Sequence, residues 1–184
     1  MILTQYIPDI FKGVVARVNT RTNTGLDPYP VVFDHGHYAE VVKNLGFKDM
    51  AISDNEKVKY PLVWLVMDFD ENSGTHPMYY AQCNFQLIIA MPTDPNWSMD
   101  ERATNNFKPR LLPIYSLLMD ELHSSQEFGF PSTEQLVKHT RILRPYWGGG
   151  QGANGETGKA NLFNDFIDAV QIKNLSLNVV KKLC

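Results

Sequence analysis

Three groups of residues in this sequence have the types from which chemistry is built. Asp34, His35 and His37 bring a carboxylate and two imidazoles close together, the donors of a zinc or iron site. Alternate residues share a face only on extended backbone, and no second cluster completes a set of ligands. The segment therefore reads as a helix start, with Asp34 as the cap and the imidazoles as polar side chains. Asp68, Asp70 and Glu71 resemble an acidic metal site, yet they follow an apolar run, as solvated carboxylates at a strand end do. His76, His123 and His139 stand apart, and no Ser or Cys lies in a nucleophile motif such as G-x-S-x-G. The expectation is a protein with no catalytic residues, no cofactor and no metal.

The glycine-rich stretch GGGQGANGETGK, Gly148 to Lys159, invites a phosphate-binding reading and fails it in detail. A P-loop needs Gly, four residues, then Gly-Lys-Ser/Thr, so that amides curl around phosphate and the hydroxyl holds Mg²⁺. Here Ala160 follows Gly158 and Lys159, and Ala153 stands where the first glycine is required. The stretch reads instead as a flexible loop beside a binding surface. Tyr146 and Trp147 immediately precede it, and Trp97 sits in a proline-rich turn. Large rings in loops supply apolar contact area with a polar handle, so Trp97, Tyr146, Trp147, Gly149, Gly152 and Asn154 are the candidates for contact with other proteins.

The elements that must position these residues are organised around Tyr79 to Leu122. Ala81, Cys83, Phe85, Leu87, Ile89 and Met91 alternate with Gln82, Asn84 and Gln86, the period of a long half-buried strand. Pro92, Asp94 and Pro95 end it in a turn. Ser98 with Glu101 has the capping-box form and starts a helix whose face is Phe107, Leu111, Ile114, Tyr115, Leu118 and Leu122. Pro109 and Pro113 interrupt the pattern, so the spacing predicts two helices, 99–107 and 110–122, with a bend or break between Phe107 and Pro109.

The 184 residues, 43% of them hydrophobic, suffice for one core, and a single domain over 1–184 is expected. A net charge of −3 leaves no basic footprint for specific nucleic-acid binding. Two cysteines, one on the long strand's apolar face and one at the last residue, make no disulfide framework. No apolar run is long enough to span a bilayer and no signal-peptide pattern is present, so no membrane partner is expected and the reading is a soluble protein made inside a cell.

Ile7, Ile10, Phe11, Val14 and Val18 predict a helix over 5–18, followed by a flexible loop over 19–30. Val31 to Phe33 reads as a short edge strand, and Tyr38, Val41, Val42 and Leu45 as a helix capped by Gly46. Lys59 to Phe69, apolar on both faces, reads as a central strand forming an antiparallel hairpin with the long one. Val137 to Tyr146 follows an FGFPS loop and is read as a strand. The last run, Val170 to Val179, slips phase at Lys173 and Asn174, where a β-bulge restores the apolar side chains to one face. The sum is an α+β domain with an antiparallel sheet of about four strands packed against helices, and flexible loops at about 19–30 and 148–159.

This order of elements, with the hairpin YPLVWLVMDF and YYAQCNFQLIIAMPTD, the helix FKPRLLPIYSLLMDEL and the closing strand FIDAVQIKNLSLNV, resembles the tail-completion or tail-terminator proteins of tailed bacteriophages. The likeness covers the whole chain in layout and holds no diagnostic motif. It implies a virion protein at the neck, assembled in the host cytoplasm. Its partners would be its own copies, commonly six in a ring, the tail-tube protein and the portal, connector or head-completion protein. The 19–30 and 148–159 loops depart from the compact family pattern. Two other readings stand beside this one: a different neck or baseplate adaptor, and a small enzyme or ligand-binding domain whose site is scattered along the chain.

Overall fold

The computed structural model describes residues 6–23, 29–49, 58–73, 79–129, 137–148 and 165–180. The elements are α1 (Ile7–Thr22), β1 (Val32–Gly36), α2 (Tyr38–Asp49), β2 (Leu62–Ser73), β3 (Tyr79–Pro92), α3 (Met99–Arg102), a π-helical stretch (Ala103–Leu111), α4 (Leu112–Ser124), β4 (Phe128–Gly129), β5 (Thr140–Gly148) and β6 (Phe166–Val180). The strands form one six-stranded sheet in the order β1-β2-β3-β6-β4, with β5 also paired to β6.

The sheet is mixed, which corrects the expectation of an antiparallel sheet of about four strands. β2 and β3 form the expected antiparallel hairpin, but β1 runs parallel to β2. The cause is the connection: a strand, a helix and a second strand return the chain in the same direction, whereas a tight hairpin reverses it. The FGFPS segment also contributes a strand, since Phe128 and Gly129 pair with Val179 and Asn178. Phe128 there packs its ring against Phe11 and Phe85 in the core.

Two cores lie on the two faces of the sheet. On one, α1, the π stretch and α4 cover Val63, Leu65, Phe85, Leu87, Ile89, Val170, Ile172 and Leu177. Phe107, Leu111, Ile114, Leu118 and Leu122 are buried there as the helical spacing predicts, while Met67 is only half-buried. On the other, α2 places Val41 and Leu45 over Leu62, Trp64, Val66, Ile88, Ala90, Ile167 and Ala169. β3 is thus half-buried along its first part, where Gln82 and Asn84 are exposed, and buried on both faces along LIIA.

The proline-containing helix bends its hydrogen bonding instead of breaking. Ala103 to Leu111 is one π-helical stretch, and Leu112 donates its N–H to Phe107 O, five residues back. Widening the turn relieves the clash that Pro109 would make with the carbonyl four residues before it, and the helical hydrogen bonding runs on into α4. Pro113 falls at the start of α4, where a missing N–H costs little. The capping box at its beginning is present: Glu101 N–H donates to Ser98 Oγ at 3.3 Å, and Ser98 N–H donates to Glu101 Oε2 at 2.7 Å. The Ser98 amide is the first cause holding the Glu101 carboxyl below its ordinary value.

Three further boundaries shift. Residues 19–22 belong to α1, because their polar side chains close the helix onto the returning chain: Asn19 Nδ2 donates to Val31 O at 2.8 Å and Thr22 Oγ1 to Tyr29 O at 3.1 Å. The rest of the 19–30 loop lies partly outside the described residues. α2 continues through Gly46 to Asp49; interior glycine costs only ~1 kcal/mol, and Lys48 Nζ in the last turn donates to Val58 O at 3.1 Å. At the start of α2 the cap is His37, whose Nδ1 accepts from Ala39 N–H at 3.5 Å, while Asp34 accepts from its neighbour His35 N–H at 2.8 Å.

The β6 bulge is where the sequence places it. Phe85 pairs with Leu175 and Leu87 with Ile172, so Lys173 and Asn174 share the place opposite Gln86, and Asn174 takes φ 54°. A second bulge, on β5, sets Pro145 and Tyr146 opposite Asp168.

Candidate interaction surface

The second bulge organises the candidate residues. Asp168 interrupts the apolar alternation of β6 and is 0% exposed, facing Arg102 at the end of α3, which is 4% exposed. Arg102 Nη1 donates to Asp168 Oδ1 at 3.1 Å, and Asn106 Nδ2, one helical turn on, donates to Oδ2 at 2.8 Å. The backbone N–H of Tyr146 completes the set by donating to Oδ1 at 2.9 Å. A carboxylate taken out of water needs such partners on both oxygens.

Arg102 spends its remaining donors on the turn after β3: Nη1 to Thr93 Oγ1 at 2.6 Å, and Nη2 to the carbonyls of Asp94 at 2.9 Å and Pro95 at 3.4 Å. Asn106 Nδ2 also reaches Pro92 O at 2.9 Å. One guanidinium and one amide therefore fix the turn that carries Trp97 to Asp168 on β6, which also holds the Tyr146 amide of β5. The planar fork of arginine suits this task, since several donors are held in one fixed geometry.

Tyr146 takes φ 51°, an uncommon conformation for a non-glycine residue, and its amide bond to Asp168 holds it there. Its ring stacks on Phe166 at 5.4 Å and an interplanar angle of 17°, with the Arg102 guanidinium 5.0 Å from its centroid. Trp147 turns to the opposite face, joins the core beneath α2 and carries Arg144 over its ring at 5.8 Å. Trp97 is half-buried, and Met99 beside it is 61% exposed. Of the six sequence candidates, Trp97 and Tyr146 lie at one end of the sheet and Trp147 at the same end on the opposite face; Gly149, Gly152 and Asn154 lie outside the described residues. Gly148, taken as the start of the loop, is the last residue of β5 and pairs with Phe166.

Sequence reasoning missed Arg102, Asn106 and Asp168. Two signals mark them: Arg102 and Asn106 are spaced to share a helical face, and Asp168 sits at an inward position of an apolar strand.

Of the other chemical candidates, His35 and His139 have neighbours within the fold, Asp68, Asp70 and Glu71 are exposed, and His76 lies outside the described residues. His35 packs its ring near Tyr6 and Phe33, and among the described residues no group of three metal-type side chains comes together. His139 is paired: Tyr115 Oη lies 2.7 Å from Nε2, and Nδ1 lies 2.8 Å from Val137 O. The carbonyl places the ring hydrogen on Nδ1, leaving Nε2 to accept from the tyrosine. Burial pushes the Cys83 thiol up to about 12, with Glu71 adding to the effect, so the sulfur stays protonated and unreactive. Burial likewise raises Tyr38, whose hydroxyl accepts from Gln86 Nε2 at 2.7 Å.

No model of a known protein family matches this sequence, and no curated protein matches it. No helix among the described residues is long and apolar enough to cross a membrane.

Proposed function

We propose that this chain is a structural virion protein of a tailed phage, a subunit of a ring of about six copies at the junction of head and tail. The observation that carries the reading is that Trp97, Met99 and Tyr146 lie at one end of the sheet, on the turn and the bulge that a buried ion pair holds. Aromatic and methionine side chains on a rigid base supply contact area at low entropic cost, as a subunit stacked between two other rings requires. The layout of hairpin, long helix and bulged closing strand that resembles tail-terminator proteins supports the same reading. Its partners are its own copies, the tail-tube protein and a connector or head-completion protein.

The test is to produce phage particles in which this chain carries a compact tag and to locate the tag by electron microscopy. Density at the neck, in a ring, is the expected result. Tag density at the baseplate, or no tag in purified particles, overturns the assignment.

A further inference from the structure

The geometry points to two unpaired strand edges, one acidic and one basic, that join copies of this chain head to tail; this rests on the ring reading above and names its subunit interface. β1 covers β2 only as far as Val66, so among the described residues no strand pairs with the outer side of Met67 to Ser73. That edge carries Asp68, Asp70 and Glu71, all exposed. On the opposite side of the sheet, β5 pairs among the described residues with β6 alone, and its outer edge carries Arg141, Arg144 and Leu143, which is 48% exposed. Arg141 lies over the Tyr115 ring and Arg144 donates to Gln171, so neither has a carboxylate partner among the described residues.

Direction and register agree. β2 is antiparallel to β3, β3 to β6 and β6 to β5, so β2 and β5 run in opposite senses. A copy placed as a continuation of the sheet therefore brings its β5 antiparallel to β2. Pro145 and the neighbouring bulge limit the usable part of β5 to Thr140 to Arg144. β2 has a bulge of its own, with Met67 to Phe69 opposite Phe85 alone, so the regular part of its free edge begins at Asp70. One register sets Arg141 opposite Glu71 there and brings Leu143 and Arg144 to Phe69 and Asp68 on the bulge.

The faces match as well. Arg141 and Leu143 pair with Ile172 and Val170 on the α4 side of the sheet, where Phe69 packs, whereas Arg144 pairs with Ala169 on the α2 side. Glu71 pairs with Cys83 on the α4 side, where Phe69 also packs, and Asp68 acts on Tyr38 on the α2 side. A single register thus pairs opposite charges on both faces and apolar groups between them. Two copies of β5 would instead bring two basic edges together, and on β1 Asp34 already occupies the outward His35 N–H.

The test uses the full chain and a charge swap read by sedimentation. Arg141→Glu with Arg144→Glu, or Asp68→Lys with Glu71→Lys, should each weaken self-association at least about tenfold, and mixing the two variants should restore it. Restoration excludes misfolding as the cause; should either pair of substitutions unfold the chain, Leu143→Glu, at an exposed position, takes its place and should dissociate the assembly. A wild-type oligomer that persists in both variants, or a mixture that stays dissociated, overturns this interface and leaves the ring reading standing. A wild-type chain that is monomeric at every concentration overturns both.

Discussion

Asp168 concentrates the polar interior of this protein, holding one arginine, one asparagine and one backbone amide drawn from three separate elements. Each partner gains a fixed position, and the Trp97 turn and the Tyr146 bulge gain a common base. Replacing Asp168 by Ala leaves the Arg102 charge buried and uncompensated, a loss of ~3–5 kcal/mol. Denaturant unfolding measures it, and a cost under about 1 kcal/mol would show that water reaches the pair. The same residues show what a sequence conceals. Trp97, Tyr146 and Trp147 were legible as large rings next to turns, but not the network beneath Trp97 and Tyr146. A lone charged residue in an apolar strand is visible, and its partner 66 positions away is not, because only folding brings them together.

At the scale of elements, alternation and helical spacing made β3, β6 with its bulge, α1 and α4 legible, since the helices bury one face against the sheet and the strands alternate between buried and open faces over part of their length. The parallel pairing of β1 was latent in the strand-helix-strand order, yet β1 is only five residues long and half-buried, so its own sequence says little about its neighbour. The π stretch was hidden for a different reason. A proline predicts disruption, while the form of the disruption depends on what packs around it; here Phe107 and Leu111 stay buried on the sheet and keep the helix continuous. Leu87 lies at the centre of this packing, 0% exposed between β2 and β6. Leu87→Ala should cost ~2–5 kcal/mol through lost transfer energy and a residual cavity, seen as a lowered unfolding midpoint; an unchanged midpoint would mean that this face of β3 is not the core face.

For the whole molecule, helices cover one face of the sheet and part of the other, and among the described residues the outer sides of β2 beyond Val66 and of β5 are unpaired. Head-to-tail addition through unlike edges is a heterologous contact, which closes into a ring when the rotation between copies divides a full turn. The end of the sheet bearing Trp97, Met99 and Tyr146 lies beyond the stretches of β2 and β5 that form those edges, so in the proposed assembly stacking on other rings and closure within one ring would use different surfaces. Self-assembly is the central claim, and the most direct measurement is the native mass of the purified full chain combined with electron-microscope class averages. A closed ring with about six-fold symmetry is the result expected; a single monomeric species at the highest attainable concentration, with no ring in the images, would contradict it.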